Sequence, residues 1–359
     1  MCTQTDRTLI ESRIVELVRR HTAAAGEVVD PACRSVLDEV VDQAVTSSEG
    51  GKRLRALLVL SAFDAATGAG AGSGAGIRSH VADIACAIEV FQTAALVHDD
   101  IIDDSDLRRG KPSAHRALSD ATSSQAIGRG LGIMLGDLLA TASVDIANKA
   151  ARHCPNADTI IGSFLTMHRE VEIGQVLDLA VEMTSLSDPQ ALAQASLNVF
   201  RWKTASYTTI APIELALLAA GRTPAEARSQ ALAVGRPLGL AFQLADDLLD
   251  VIGSSARTGK PIGGDIREGK RTVLLADALA AASPAERAEL IAMFEAPARD
   301  EDEVSRAIGL FESTGAIGRS KERIAGLWNE AREAIGTLGL DRESADALTE
   351  ACARFVPLA

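Results

Sequence analysis

The chain reads as an all-α protein. Alanine is abundant and aromatic residues fill only 3% of its 359 positions, a bias toward close-packed helices, since strands draw on β-branched and aromatic side chains. Apolar residues recur at helical spacing along most of the chain. The breaks between these segments fall at Gly, Pro and Asp-Pro positions suited to helix ends. The length allows one large domain or two smaller ones.

The elements follow in order. Residues 8–20 and about 31–46 are amphipathic, and the second segment opens on Asp30-Pro31, a capping residue followed by a first-turn proline. Together they make N-terminal helices within residues 1–50. Gly50-Gly51 then leads into Lys52-Arg53-Leu54-Arg55 and the apolar run ALLVLSAF. A basic cluster in the first turn of a helix opposes the helix dipole and costs stability. Taken alone it reads as a solvated helix end, yet its place before a buried helix leaves room for an anion. Residues 67–76, TGAGAGSGAG, contain no GxGxxG and follow no strand, so they read as a flexible linker loop. Long helices are expected at about 79–104, 123–153, 156–184, 188–220 and 225–253, with kinks at Pro212 and Pro237. GDIREGKR, 264–271, resembles a phosphate loop until Arg271 stands where Ser or Thr is needed. Residues 272–359 make more strongly charged C-terminal helices, and no repeat period emerges.

Charge and cysteines narrow the function. A net charge of −13 argues against nucleic acid or an anionic membrane surface as partner. An anionic substrate would need metals or a few placed Lys and Arg residues. Cys2, Cys33, Cys86, Cys154 and Cys352 are scattered without a CxxC pair, as expected of thiols in a reducing compartment. The polar N-terminus lacks the apolar core of a signal peptide, and no run approaches the roughly 18 apolar residues of a membrane span. These features predict a soluble, cytoplasmic protein without a membrane span.

Two acidic sets carry the chemistry. In HDDIIDDSD, Asp99, Asp100, Asp103, Asp104 and Asp106 follow an apolar helix, and Asp99 and Asp103 share one helical face. Ala95, Gln92 and Ile88 fall on that face too. Acid runs are usually solvated helix ends, and that bland reading suits Asp104 and Asp106. It weakens for the others because Phe242-Gln243-Leu244-Ala245-Asp246-Asp247-Leu248-Leu249-Asp250 repeats the pattern on another apolar helix. Hard carboxylate oxygens suit magnesium, which keeps waters and commonly bridges to substrate phosphates. Two such sets facing one another in a bundle would need several cations and an anionic ligand.

With these motifs in place, the chain resembles the trans-isoprenyl diphosphate synthases of the polyprenyl synthetase family, most of all a bacterial geranylgeranyl diphosphate synthase. The first motif matches Asp99-Asp100-x-x-Asp103 followed by Arg108-Arg109-Gly110, and the second matches Phe242-Gln243-x-x-Asp246-Asp247-x-x-Asp250. Gly51-Lys52-Arg53-x-Arg55, Glu89-x-x-Gln92, Gly174-Gln175-x-x-Asp178, Lys203-Thr204, and Gly259-Lys260 through Asp265 to Gly269-Lys270 keep the family's order. The resemblance implies a single domain over residues 1–359, an antiparallel bundle around a deep central cavity (the isoprenoid synthase fold), and a homodimer.

It also implies roles. An allylic diphosphate ionises and the carbocation is attacked by isopentenyl diphosphate, with about three magnesium ions neutralising the leaving group. Asp99, Asp103 and Asp246 match direct metal ligands. Asp100, Asp247, Asp250 and Asp265 would hold metal-bound water or neighbouring cations. Arg108, Lys203 and Lys260 match the groups that grip the allylic diphosphate, with Thr204, Phe242 and Gln243 nearby. Lys52, Arg55, Gln92 and Arg109 match the metal-free isopentenyl diphosphate site, and Lys270 fits a closing loop. The chain departs from common family choices at Ala56, Gln92 and Arg271.

Short-chain members place aromatic residues four or five positions before the first motif, where this chain has Ala95 and Ala94. Phe91, one turn deeper and about 80° off the Asp99 face, is then the candidate floor for a C20 product, with a longer polyprenyl product as the alternative. A class I terpene cyclase is disfavoured by Asp246, Asp247 and Asp250 and by the basic Lys52 and Arg55. A non-catalytic synthase subunit is disfavoured because neither acidic set is lost.

Overall fold

The computed structural model describes residues 4–24, 29–68, 76–253 and 262–357. Lys260 and most of the 67–76 linker lie outside these residues. Among the described residues the chain is helical apart from one two-stranded hairpin. It packs as two compact units, Met1–Leu165 with Pro212–Arg228 and Leu340–Ala351, and Thr166–Ala211 with Ser229–Gly339 and Cys352–Ala359.

The first unit is built on α4, Arg78–Ile102. Around it stand α1 Gln4–Thr22, α2 Pro31–Ser48, α3 Leu54–Thr67 and α6 Gln125–Ala151, with the closest packing on α6 and α3. Ile84, Ile88 and Val90 on α4, Val59 and Leu60 on α3, and Leu135 and Leu139 on α6 are all fully buried. The expected cap of α2 is present, with Asp30 Oδ1 accepting from Ala32 N at 2.9 Å. The single helix expected at 123–153 begins instead at Gln125, after the short α5, Ala114–Thr122. Ser124 caps α6, accepting from Ile127 N at 3.4 Å.

By hydropathy, α4 and α6 are long and apolar enough to cross a membrane, contrary to the reading that no such run exists. In α4, 72% of that window is buried inside the protein and in α6 44% is. The hydropathy of α4 is that of a core helix packed between helices.

The second unit contains the larger part of α7 Ala157–Val181, α8 Pro189–Val199, much of α10 Pro224–Ile252, the short α11 Gly264–Glu268, and helices Val273–Ala281, Pro284–Glu295, Glu301–Ser313 and Ala316–Gly336. Val273–Ala281 is its buried axis, with Val273, Leu275, Ala278 and Leu279 at 0% exposure. The one long helix expected at 188–220 is interrupted by two π-helical turns, Phe200–Thr204 and Ser206–Ile210, before α9, Ala211–Ala219. Pro212 accounts for the position. It has no N–H for the Thr208 carbonyl and would crowd it in a tight α turn, so wider winding immediately before it is favoured. Pro237 causes no break, and α10 runs through it.

Candidate active site

The last turn of α4 fixes the first acidic set. Asp99 is half-buried and Asp103 exposed, the latter ending the helix with its N–H on the Asp99 carbonyl at 2.9 Å. Asp100 points to the next face and is 2% exposed. Its carboxylate accepts from Arg108 Nε at 2.9 and 3.2 Å and also from Arg108 Nη2. Of the two tasks the resemblance allows Asp100, the structure shows the contact with a neighbouring cation, Arg108. Burial, the largest single influence, works against the Arg108 charge, but the bond to Asp100 together with the negative charges of Asp100, Asp99 and Asp103 outweighs it and raises the guanidinium pKa. Asp104 and Asp106 are exposed and pair with Arg116 at 3.2 and 2.9 Å, in line with solvated loop charge.

A tight hairpin aims the two arginines. Leu107–Arg108 pairs with Lys111–Pro112 in antiparallel register, leaving Arg109 and Gly110 as a two-residue loop with φ of 53° and 76°. Positive φ at both central positions is the type I′ turn that matches strand twist, and Gly110 takes its share without Cβ strain. Arg108 is thereby directed at Asp100, while Arg109 Nη1 donates to the Glu49 carbonyl at 2.7 Å. Lys111 pairs with the Glu49 carboxylate at 3.2 Å. A cavity of about 480 Å³ opens here, with Gly51, Thr93, Asp100, Arg108, Arg109 and Lys111 among its walls. Burial, followed by repulsion from Arg53, Arg108 and Arg55, lowers the Arg109 pKa, while Glu89 opposes the shift. Cations here outnumber the anions beside them. Lys52 is exposed, Arg55 is 7% exposed, and Gln92 is half-buried. At the chain-length positions Ala95 is partly open, whereas Ala94 and Phe91 are each 1% exposed.

In the second unit the π-helical turns display the other residues. Lys203 Nζ meets Asp178 Oδ2 at 2.5 Å. Thr204 Oγ1 donates to Gln243 Oε1 at 2.8 Å, and Gln243 Nε2 donates to Asp247 Oδ1 at 2.8 Å. This relay fixes which way the Gln243 amide faces. Ser206 Oγ donates to Glu170 at 2.5 Å and Thr209 Oγ1 to the Gly235 carbonyl at 2.6 Å, pinning the second π turn. A close approach by Gly174 makes this possible, because a Cβ there would overlap the backbone of Lys203. Phe242 packs edge-on against Phe355, with ring centroids 5.7 Å apart.

The second acidic set is crowded. Asp246 is exposed, while Asp247 is 7% exposed and its Oδ2 has no hydrogen-bond partner among the described residues. Burial and then the nearby Asp265 raise the Asp247 pKa well above the usual range. Asp250 accepts from Gly264 N and Asp265 N at 3.1 and 3.0 Å, yet burial and then Asp265 push it up to about 6. Lys270 pairs with Asp265 at 3.3 Å and Glu268 at 2.8 Å. A cavity of about 10 Å³, the space of one water, is lined by Asp247, Asp265 and Lys270. An orphaned buried oxygen among mutually repelling carboxylates fits a hard divalent cation. No group of three or more His, Cys, Asp or Glu side chains among the described residues closes into a cage.

Lys260 cannot be placed, lying outside the described residues. Sequence reasoning left Glu49 unmentioned and assigned no task to Arg53, Glu89 and Asp178. All four act by contacting another side chain or a remote carbonyl. Their signal is only their nearness to the motifs, as in Glu89-x-x-Gln92.

Comparison with known proteins agrees. Residues 34–311 match the polyprenyl synthetase family. A short chain isoprenyl diphosphate synthase of Methanothermobacter thermautotrophicus is 30% identical over 349 residues, 92% of this chain and 99% of its own length. A nonaprenyl diphosphate synthase of Mycobacterium tuberculosis is 31% identical over 330 residues, 89% and 88% of the two chains. The crystal structure of a geranylgeranyl pyrophosphate synthase from Corynebacterium glutamicum, complexed with isoprenyl diphosphate and magnesium, superposes with a TM-score of 0.84 at 29% identity over 99% of each chain. The all-α architecture is thus the isoprenoid synthase fold, and the chain belongs to the polyprenyl synthetase family as a trans-prenyltransferase.

Proposed function

We propose that the chain condenses isopentenyl diphosphate head-to-tail with allylic diphosphates (dimethylallyl, geranyl, farnesyl), giving geranylgeranyl diphosphate as main product. The observation that carries this is the pairing of two of the three cations assigned to the allylic diphosphate with their own carboxylates, Arg108 with Asp100 and Lys203 with Asp178. Long, flexible side chains are held ready for a planar or tetrahedral anion. Magnesium, when bound, supplies the positive charge that lets diphosphate leave. Asp99, Asp103 and Asp246 are assigned as its direct ligands, and Asp100, Asp247, Asp250 and Asp265 support it through bound water or neighbouring cations, with about three ions per site.

The chain's own groups do the rest. Arg108, Lys203 and Lys260 grip the leaving diphosphate. Thr204 donates its hydroxyl hydrogen bond to Gln243, so the hydroxyl oxygen can turn lone pairs toward the allylic cation. Lys52, Arg55, Gln92 and Arg109 hold isopentenyl diphosphate, and Lys270 closes the loop. The released diphosphate takes the final proton. Incubation with isopentenyl and farnesyl diphosphates should give elongation; cyclised hydrocarbon or no product would refute the assignment. Asp99→Ala and Asp246→Ala should each lower kcat by about 10² or more without unfolding.

A longer product is the second reading, and the burial of Phe91 favours it: a ring 1% exposed is sealed in the core and does not border open space. Product analysis of Phe91→Ala decides. Lengthening beyond C20 supports the ring as floor, and an unchanged distribution removes it. Homodimerisation is proposed from the family, supported by exposed Ile127, Ile133 and Met134 on α6; sedimentation as a monomer would refute it. A reducing cytoplasm is proposed from the free Cys33, Cys86, Cys154 and Cys352.

A further inference from the structure

The segment joining α2 to α3 is held by a buried ion pair that the proposed chemistry does not use. Arg53 and Glu89 have side chains only 2% and 3% exposed, with Nη1 and Oε2 3.6 Å apart. Arg53 has the left-handed backbone φ of 54° just before α3, a conformation that favours glycine. Its Nη2 reaches back to the Ser48 carbonyl at 2.7 Å, at the end of α2. Glu89 Oε1 meanwhile accepts from Ala56 N at 3.1 Å. Arg53, the residue just before α3, makes no capping bond with its side chain. A carboxylate from α4 caps the helix instead, at the end where the dipole favours an anion.

The connection between those two anchors carries Lys52 and Arg55, and Arg109 lies across it at Gly51. Arg53, Arg108 and Arg55 stand close enough to repel Arg109, and Glu89 is the carboxylate that counters them there. The basic first turn that looked costly in sequence is thus offset from another helix.

We propose, resting on the function given above, that Glu89 and Arg53 are positioning residues for the isopentenyl diphosphate site. They hold the Ser48–Ala56 connection so that Lys52, Arg55 and Arg109 converge on one diphosphate before it arrives. Neither touches the substrate. Their loss should weaken isopentenyl diphosphate binding and leave the allylic substrate's site alone.

The test is calorimetric binding of isopentenyl diphosphate to the whole chain without metal, together with steady-state KM and kcat for both substrates. Glu89→Gln keeps the acceptor for Ala56 N but removes the charge. It should raise the Kd and KM for isopentenyl diphosphate about tenfold, with KM for farnesyl diphosphate and kcat within about threefold. Equal changes for both substrates, or none, overturn the proposal. If Glu89→Gln fails to fold, the double variant Arg53→Met with Glu89→Leu replaces the pair by apolar side chains, an exchange buried ion pairs often tolerate. Recovery of stability with KM for isopentenyl diphosphate still raised supports positioning, and recovery of both shows a purely structural pair. Lys52→Ala separates the two levels. If it leaves the Kd unchanged, the anion site is misplaced and the proposal falls with it. If it raises the Kd while Glu89→Gln does not, only the proposal falls.

Discussion

At Asp100 a carboxylate inside an acidic motif is turned away from its neighbours and takes Arg108 in a forked contact. The backbone explains this, since consecutive helical residues point about 100° apart while Asp99 and Asp103 share a face. Asp100→Asn would keep the shape and leave Arg108 without its counter-ion. We expect a stability loss of about 2 kcal/mol, since one partner remains partly solvated, measured by urea titration. KM for the allylic diphosphate should rise about tenfold while that for isopentenyl diphosphate stays put. A stability loss with unchanged KM would make Asp100 structural only. The acids themselves were legible in the sequence, because four-residue spacing on an apolar helix needs no tertiary information. Which carboxylate takes a cation was not legible, because Arg108 reaches Asp100 only once the chain folds back beyond α4, where Asp104 has a φ of 51° and Ser105 N donates to the Asp100 carbonyl at 2.9 Å.

Most helices were also legible, from apolar spacing and from caps such as Asp30 and Asp188. Exceptions include the short α5, the hairpin and the two π turns, the last two at candidate site residues. Two-residue strands are too short to show alternation, and π winding leaves no period of its own in sequence. The π turns depend on close packing at Gly174, where a methyl group would press on the backbone of Lys203. Gly174→Ala should cost about 1–3 kcal/mol and, by moving Lys203 off Asp178, lower kcat at least about tenfold. Thermal unfolding and single-turnover assays check the two effects separately. Full activity in a destabilised variant would show that the π geometry is not needed.

For the whole molecule, the second acidic set ties stability to pH and metal. Asp250 titrates at about 6 in the fold against an ordinary 3.8. Between those values the folded chain holds a proton that the unfolded chain has released, so stability falls as pH rises through that window and the loss is complete above about 6. Asp247, raised by burial and by Asp265, adds to the same trend. Without ligand, Tm should therefore be higher at pH 5 than at pH 8. Magnesium with inorganic diphosphate should raise Tm at pH 8 by on the order of 3 °C or more and change it little at pH 5, where protonated carboxylates bind cations poorly. An equal gain at both pH values would show that these acids are not the metal's support.

The sequence alone determined the all-α class, the order of the long helices and the identity of both acidic sets, because helical periodicity and motif spacing are properties of neighbouring residues. Only the tertiary structure decided what each charge faces. It gave Asp100 to Arg108 and Asp178 to Lys203, and it set Glu89 at the start of α3 beside Arg53. Such partners are chosen by burial and by where the chain turns. A charge left without one inside the protein costs several kcal/mol, so the fold must supply it from wherever the packing brings one near.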